Sequence, residues 1–250
     1  MKEPQRHRYG SPAATLAEQF ASIGEARVID VLRGGRLARR FYVYRCERLR
    51  ANPVPAAAPV DLAHRPEYRL FFLVNDDLHG CAGDLLLGYG NWLGVGYVSG
   101  PLALIVALWS WRKRPGRWRR DVVAIVVASL LCSCVVTTMK GWCARERPAR
   151  LFAPALASGE LDLHVMFAPK YRQGFPSGHT ATAFLIATLL AFIVARRGAA
   201  LVGFALALLV GISTMYIGAH LPVDVLGGAL VGSAVAAFAC RWLALVPRSG

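Results

Sequence analysis

Three groups of reactive residues stand at the ends of apolar runs in this 250-residue chain. In KGWCARERP, Lys140 closes one run and Arg147 and Pro148 follow it. In PSGH, the residues Pro176, Ser177, Gly178 and His179 open the next run. In STMYIGAHLPVD, Ser213, Thr214, His220 and Asp224 straddle the turn between the last two. Ionisable groups are costly at such positions, so a functional site is the default reading. The residue types suit phosphoryl transfer. Lys140 and Arg147 supply fixed positive charge, and a guanidinium grips two phosphate oxygens at once. Ser177, Gly178 and His179 fall at a helix start, where free N–H groups and the helix dipole attract an anion. Gly178 lets the backbone come close to that anion. The four-residue step from His220 to Asp224 brings a carboxylate to one imidazole nitrogen and leaves the other to attack phosphorus. His179 then protonates the leaving oxygen and afterwards deprotonates the incoming water.

The elements that must position these groups are apolar and long. The chain is 55% hydrophobic and 18% charged, with a mean hydropathy of +0.41. No charge occurs from Val122 to Val136, from Thr180 to Ala195 or from Ala199 to Gly218. About 20 apolar residues cross a bilayer as a helix, which predicts spans near 85–111, 121–139, 179–196, 199–218 and 224–246. The expected fold is all-α, an integral-membrane bundle of five to six transmembrane helices with an amphipathic N-terminal extension. Residues 1–68 read as that basic extension with a Pro/Ala-rich linker, and 69–250 as the membrane-embedded domain. The basic start is not followed by an apolar stretch, so no cleaved leader is expected. Residues 68–80 (YRLFFLVNDDLHG) read as an amphipathic lead-in lying on the membrane surface.

The net charge of +14 comes mainly from Arg flanking the spans, with no nucleic-acid module beside it, so the partner is the bilayer and not a nucleic acid. The linker 111–120 holds six basic residues in ten and is expected inside, which places 140–178 and 218–223 outside. That alternation also puts the Arg-rich N-terminus outside, against the charge rule; long segments often escape it, and a re-entrant or spanning element near 68–84 would also resolve it. The six cysteines show no paired or zinc-like spacing and read as packing residues. His7, His64, His79 and His164 read as surface groups, Asp84 and Asn91 as capping or hydrogen-bonding groups within the bundle. Gly227, Gly228 and Gly232 read as close helix contacts. Trp111, Trp118 and Trp142 read as interfacial anchors. No metal is expected at His179, His220 and Asp224, because the lysine and arginine around them repel a cation.

Taken in order, Lys-x6-Arg-Pro, Pro-Ser-Gly-His and Ser-x6-His-x3-Asp resemble the type-2 phosphatidic acid phosphatases. That family is the membrane branch of the fold shared with bacterial acid phosphatases and vanadium haloperoxidases. The resemblance covers roughly 70–246 and rests on Lys140, Arg147, Pro148, Pro176, Ser177, Gly178, His179, Ser213, His220 and Asp224. It implies a phosphorylated membrane lipid as substrate, cleaved without cofactor through a phosphohistidine on His220. Lys140, Arg147, Ser177, Gly178, Ser213 and Thr214 would hold the phosphate. The implied substrates are undecaprenyl diphosphate, phosphatidylglycerol phosphate, phosphatidic acid or lipid A, and the layout is most like the bacterial undecaprenyl diphosphate phosphatases. The implied location is a bacterial inner membrane, with the site facing the periplasm or exterior. One position departs: Thr214 stands where the family has an arginine. Arg145, Arg150 or Arg172 are the available substitutes. A lipid phosphotransferase, or a binding or transport protein that has lost turnover, are the alternative readings.

Overall fold

The structure is a computed structural model that describes residues 65–78, 80, 83–158, 163–167 and 170–245. Most of the extension read at 1–68 lies outside the described residues. Helix α1 (Pro66–Phe72) starts on a proline, whose missing N–H is not needed in a first turn, and places Glu67 against the helix dipole. It runs on through a wide turn at Leu73–Asp77. Tyr68 and Phe71 are buried and pack on Phe152. The segment read as a surface-lying lead-in thus turns its aromatic face into the protein, with Leu70, Leu73 and Leu78 left exposed. Periodicity reveals an apolar face but not what covers it.

The next span departs from the single helix expected at 85–111. Short turns at Asp84–Gly88 and Asn91–Gly94 precede helix α2 (Gly96–Lys113), and the two halves meet at a bend of 62°. Gly88, Gly90, Gly94 and Gly96 lower helix propensity here. They also permit contact. A Cβ on Gly94 would lie 2.8 Å from the Cβ and carbonyl of His179, and one on Gly90 would overlap the Ser213 hydroxyl.

Helix α3 (Trp118–Cys143) ends at Ala144 in the left-handed region, with φ 41°. The short helices α4 (Pro148–Leu151) and α5 (Ala153–Ser158) follow, then α6 (Gly178–Ile193), α7 (Arg197–Tyr216) and α8 (Pro222–Leu245). All regular structure among the described residues is helical. Three helices, α3, α7 and α8, are long and apolar enough to cross a membrane, and the bent pair makes four. Helix α6, at 16 residues, is apolar but shorter. It is the central element, packed on α2, α3, α7 and α8. Leu104, Ile105, Leu130, Leu201, Leu230 and Phe238 point outward from α2, α3, α7 and α8. An apolar exterior of this extent belongs in hydrocarbon, and the chain is an integral membrane protein.

The expected glycine contacts bring α6 and α8 together. A Cβ on Gly228 would overlap the Ser177 carbonyl, and one on Gly232 the Ala181 carbonyl. Gly227 lies against the Phe175 ring. At one end of the bundle, Arg114 joins the 111–120 linker to the end of α6 by donating to the Ile193 carbonyl at 2.7 Å, and it pairs with Asp121 at 3.0 Å. At the other end, α1, α4, α5 and residues 163–166 form a second core with Met215, Tyr216 and Leu221. The reactive groups lie at that second end.

Candidate active site

Ser177 is the N-cap of α6, with extended backbone at φ −68° and ψ 116°. Its oxygen accepts the Thr180 hydroxyl at 2.9 Å and the Thr180 N–H at 3.4 Å. A serine N-cap satisfies donors that would otherwise be stranded in the first turn. The Ser177 N–H donates to the Asp224 carbonyl at 2.9 Å, so the elbow is fastened directly to the start of α8. Gly178 and His179 follow within that first turn.

The cations reach the elbow through residues 171–174. Lys140, in the last turn of α3, donates to the Gln173 carbonyl at 2.9 Å. Arg147 is buried and forks onto three carbonyls: Arg172 at 3.0 Å, Ala219 at 3.3 Å and Gln173 at 3.5 Å. Its guanidinium therefore ties the loop before the elbow to the loop that carries His220. Gln173 has φ 60°, a conformation that costs a non-glycine residue about 1–2 kcal/mol. The strained residue offers its carbonyl to both cations. Nothing about its side chain marks it in the sequence, so it was not among the predicted positions.

His220 and Asp224 form the base of the site. Both are buried, and His220 Nδ1 stands 3.6 Å from Asp224 Oδ2, just beyond hydrogen-bond length. Asp224 Oδ2 accepts the Leu221 N–H at 2.9 Å, the reach-back bond of an acidic residue three positions into a helix. The His220 N–H donates to the Thr214 carbonyl at 3.1 Å. Burial first, then the Arg147 and Lys140 charges, against the opposing Asp224 carboxylate, bring the His220 imidazole down to about 4. At neutral pH the ring is uncharged and retains a lone pair, the form a nucleophile needs.

Lys140, Arg147, Ser177, Gly178, His179, His220 and Asp224 are thus gathered at one end of the bundle. The hydroxyls of Ser213 and Thr214 are engaged within α7 instead, donating to the Leu209 and Gly211 carbonyls at 2.7 Å each. Residue 214 joins the site through its carbonyl. Of the arginines suggested as substitutes at this position, Arg150 pairs with Glu146 at 2.6 Å and Arg172 meets Arg147 through its backbone. Arg145 lies 3.2 Å from Glu67 and 3.5 Å from Asp224. Lys170, absent from the sequence reading, is close enough for its charge to act on Lys140 and His179.

His164 is not a surface group: it is buried, with Nε2 3.4 Å from Asp84 Oδ1 and its ring against Tyr216. Tyr216 donates to the same Asp84 oxygen at 2.6 Å, so Asp84 bonds within the bundle as expected. Asn75, fully buried, holds this corner by donating to the His164, Tyr216 and Met215 carbonyls and accepting from the His164 N–H. A loop histidine is ordinarily exposed; here α1 covers the loop. The signal that could have exposed the corner was an asparagine inside an apolar stretch, since a buried amide needs partners.

A profile of the PAP2 superfamily matches residues 121–247. Among solved structures, LpxE of Aquifex aeolicus superposes with a TM-score of 0.59 at 28% identity, covering 73% of this chain and 99% of that one. A transmembrane PAP2 type phosphatidylglycerolphosphate phosphatase of Bacillus subtilis gives a TM-score of 0.47 at 20% identity, covering 74% of this chain and 97% of that one. No curated protein sequence matches the chain.

Proposed function

Because this chain belongs to the PAP2 superfamily, we propose that it hydrolyses the phosphate ester or diphosphate of a membrane lipid through a phosphohistidine on His220. The observation that supports this best is the Gln173 carbonyl, which accepts from both Lys140 and Arg147. Two fixed cations are thereby held beside the cap of α6 and the buried, uncharged His220.

The phosphate enters against Lys140, Arg147 and the free N–H groups at the start of α6. The His220 Nε2 lone pair attacks phosphorus, and the bond from phosphorus to the lipid oxygen breaks. The negative charge of the bound phosphate holds a proton on His179, which passes it to that oxygen as it leaves. Asp224 opposes the positive charge that develops on the His220 ring. Water then attacks the phosphohistidine, His179 takes its proton, and inorganic phosphate departs with His220 restored. Lys140 and Arg147 carry out the charge neutralisation for which other phosphatases use a metal.

The substrate is of the undecaprenyl diphosphate, phosphatidylglycerol phosphate, phosphatidic acid or lipid A class, handled at the outer face of a bacterial inner membrane. The deciding experiment is phosphate release by the purified protein from a panel of these four lipids, with His220→Ala alongside. Release by the wild type and none by the variant is expected. Substantial release by a folded His220→Ala protein would remove the covalent mechanism. The facing of the site is read by labelling Trp142→Cys and Trp111→Cys from outside intact cells, in a background without the native cysteines. Both tryptophans are exposed, and stronger labelling at 111 would reverse the orientation.

A further inference from the structure

We infer that Arg145 is a positioning residue of this site, held by Glu67 on helix α1 and clamping the oxygen of Asp224 that does not face His220. The inference deepens the hydrolase reading above and rests on it for what the clamp accomplishes.

A fully buried carboxylate needs its charge and lone pairs answered. On Asp224 the two oxygens are answered from different sides. Oδ2 takes the Leu221 N–H at 2.9 Å and faces His220 Nδ1 at 3.6 Å. Oδ1 is met by Arg145 Nη1 at 3.5 Å. The other arm of the same guanidinium, Nη2, donates to Glu67 Oε1 at 3.2 Å. Arg145 is therefore shared between two carboxylates on different elements. Its backbone is pinned as well, since its carbonyl accepts the Gly174 N–H at 2.8 Å. Gly174 in turn is buried beside the carboxylate, and a Cβ there would lie 3.4 Å from Asp224 Oδ2.

Glu67 is fixed by the docking of α1, whose Tyr68 and Phe71 are buried. The helix just before the membrane domain is thereby wired to the catalytic carboxylate. No other arginine is placed to do this among those considered at position 214: Arg150 is taken by Glu146, and Arg172 meets the site through its carbonyl. Thr214 itself contributes no charge. The charged groups facing His220 are Asp224 from its own side of the turn and Arg147 and Lys140 from the facing elements. Arg145 adds to these through Asp224, and Glu67 offsets Arg145. The two residues should therefore act on His220 with opposite signs.

The test uses the full chain in detergent and reads the His220 imidazole by histidine-ring NMR, its signal assigned by loss in His220→Gln. Removing the guanidinium leaves Asp224 less compensated, so His220 holds its proton more tightly. Arg145→Met should raise the titration midpoint by about half a unit or more. Glu67→Gln should lower it, and the double variant should fall between the two. On the best substrate of the lipid panel, Arg145→Met should lose roughly tenfold in kcat with KM within about twofold. Arg145→Lys should restore the midpoint but only part of kcat, because one ammonium cannot span both carboxylates. Midpoints that do not move, or that move the same way in both variants, overturn the inference. So does a raised KM at unchanged kcat, which would make Arg145 a substrate contact. If the wild type releases no phosphate while the midpoints move as stated, the hydrolase reading fails and the clamp stands.

Discussion

Adding one methyl group at Gly228 should disable the site from about one helical turn away. A Cβ there would overlap the Ser177 carbonyl and sit 3.1 Å from the Thr180 Cβ and 3.2 Å from the Ala181 N. These neighbours are backbone or the start of a β-branched side chain, so none can rotate aside. Restoring ordinary contact distances requires α8 to retreat from α6 by on the order of 1 Å. Between the two helices lies the Ser177 N–H bond to the Asp224 carbonyl, at 2.9 Å. The retreat lengthens it and carries Asp224 away from the elbow. Overpacking of this kind costs about 1–3 kcal/mol of stability. Misplacing reactive groups by about 1 Å can cost roughly a hundredfold in rate. Gly228→Ala should therefore melt several degrees lower in detergent and lose about a hundredfold in phosphate release. The control is Gly198→Ala in α7, where an added Cβ meets nothing within 4 Å. Wild-type melting and turnover in Gly228→Ala, or an equal loss in Gly198→Ala, would refute the close-contact argument.

The remaining expectations concern pH, folding and metal. His220 lies below its ordinary value because it is buried, so it is neutral near pH 7 and gains a proton only as the pH falls towards about 4. Activity (kcat/KM) should fall on an acid limb governed by that group and on a basic limb set by loss of the His179 proton, and an acid limb centred near 6.5 would show a His220 imidazole that is not buried. Asn75→Ala removes the amide that serves three carbonyls and one N–H at the buried corner. It should lower stability by about 3 kcal/mol or more, read as the midpoint of denaturant unfolding, and an unchanged midpoint would show that the corner is not needed. Phosphate release should survive EDTA and be inhibited by vanadate; activity lost to the chelator and restored by one metal ion would contradict the role given to Lys140 and Arg147.

The residues gathered at this end of the bundle stood out in the chain because chemistry restricts their types and helix geometry restricts their spacing. The step from His220 to Asp224, the serine cap before a glycine, and the lysine closing a charge-free run each carry a local physical reason. The apolar runs were readable for the same cause, since a bilayer imposes a minimum length. The break at Gly94 was not, because glycines within an apolar run do not say whether they bend a helix or admit a neighbour. In the structure they do both, with Gly94 against His179 and Gly90 against Ser213. The covering of His164 escaped the sequence because the residues in contact, Asn75 in the turn after α1 and His164, are 89 positions apart.

What the sequence determined by itself was the inventory: an apolar bundle with a cationic, histidine-bearing cluster at helix ends. What only the tertiary structure decided was how that cluster is held. Gln173 presents a carbonyl to two cations because its backbone, not its side chain, is forced to φ 60°. Arg147 is buried among carbonyls from two loops, and Arg145 is divided between Glu67 and Asp224, 157 positions apart in the chain. Local preferences act over a few residues, whereas these contacts depend on where α1, α3 and α8 come to rest against one another, which packing of the whole bundle settles.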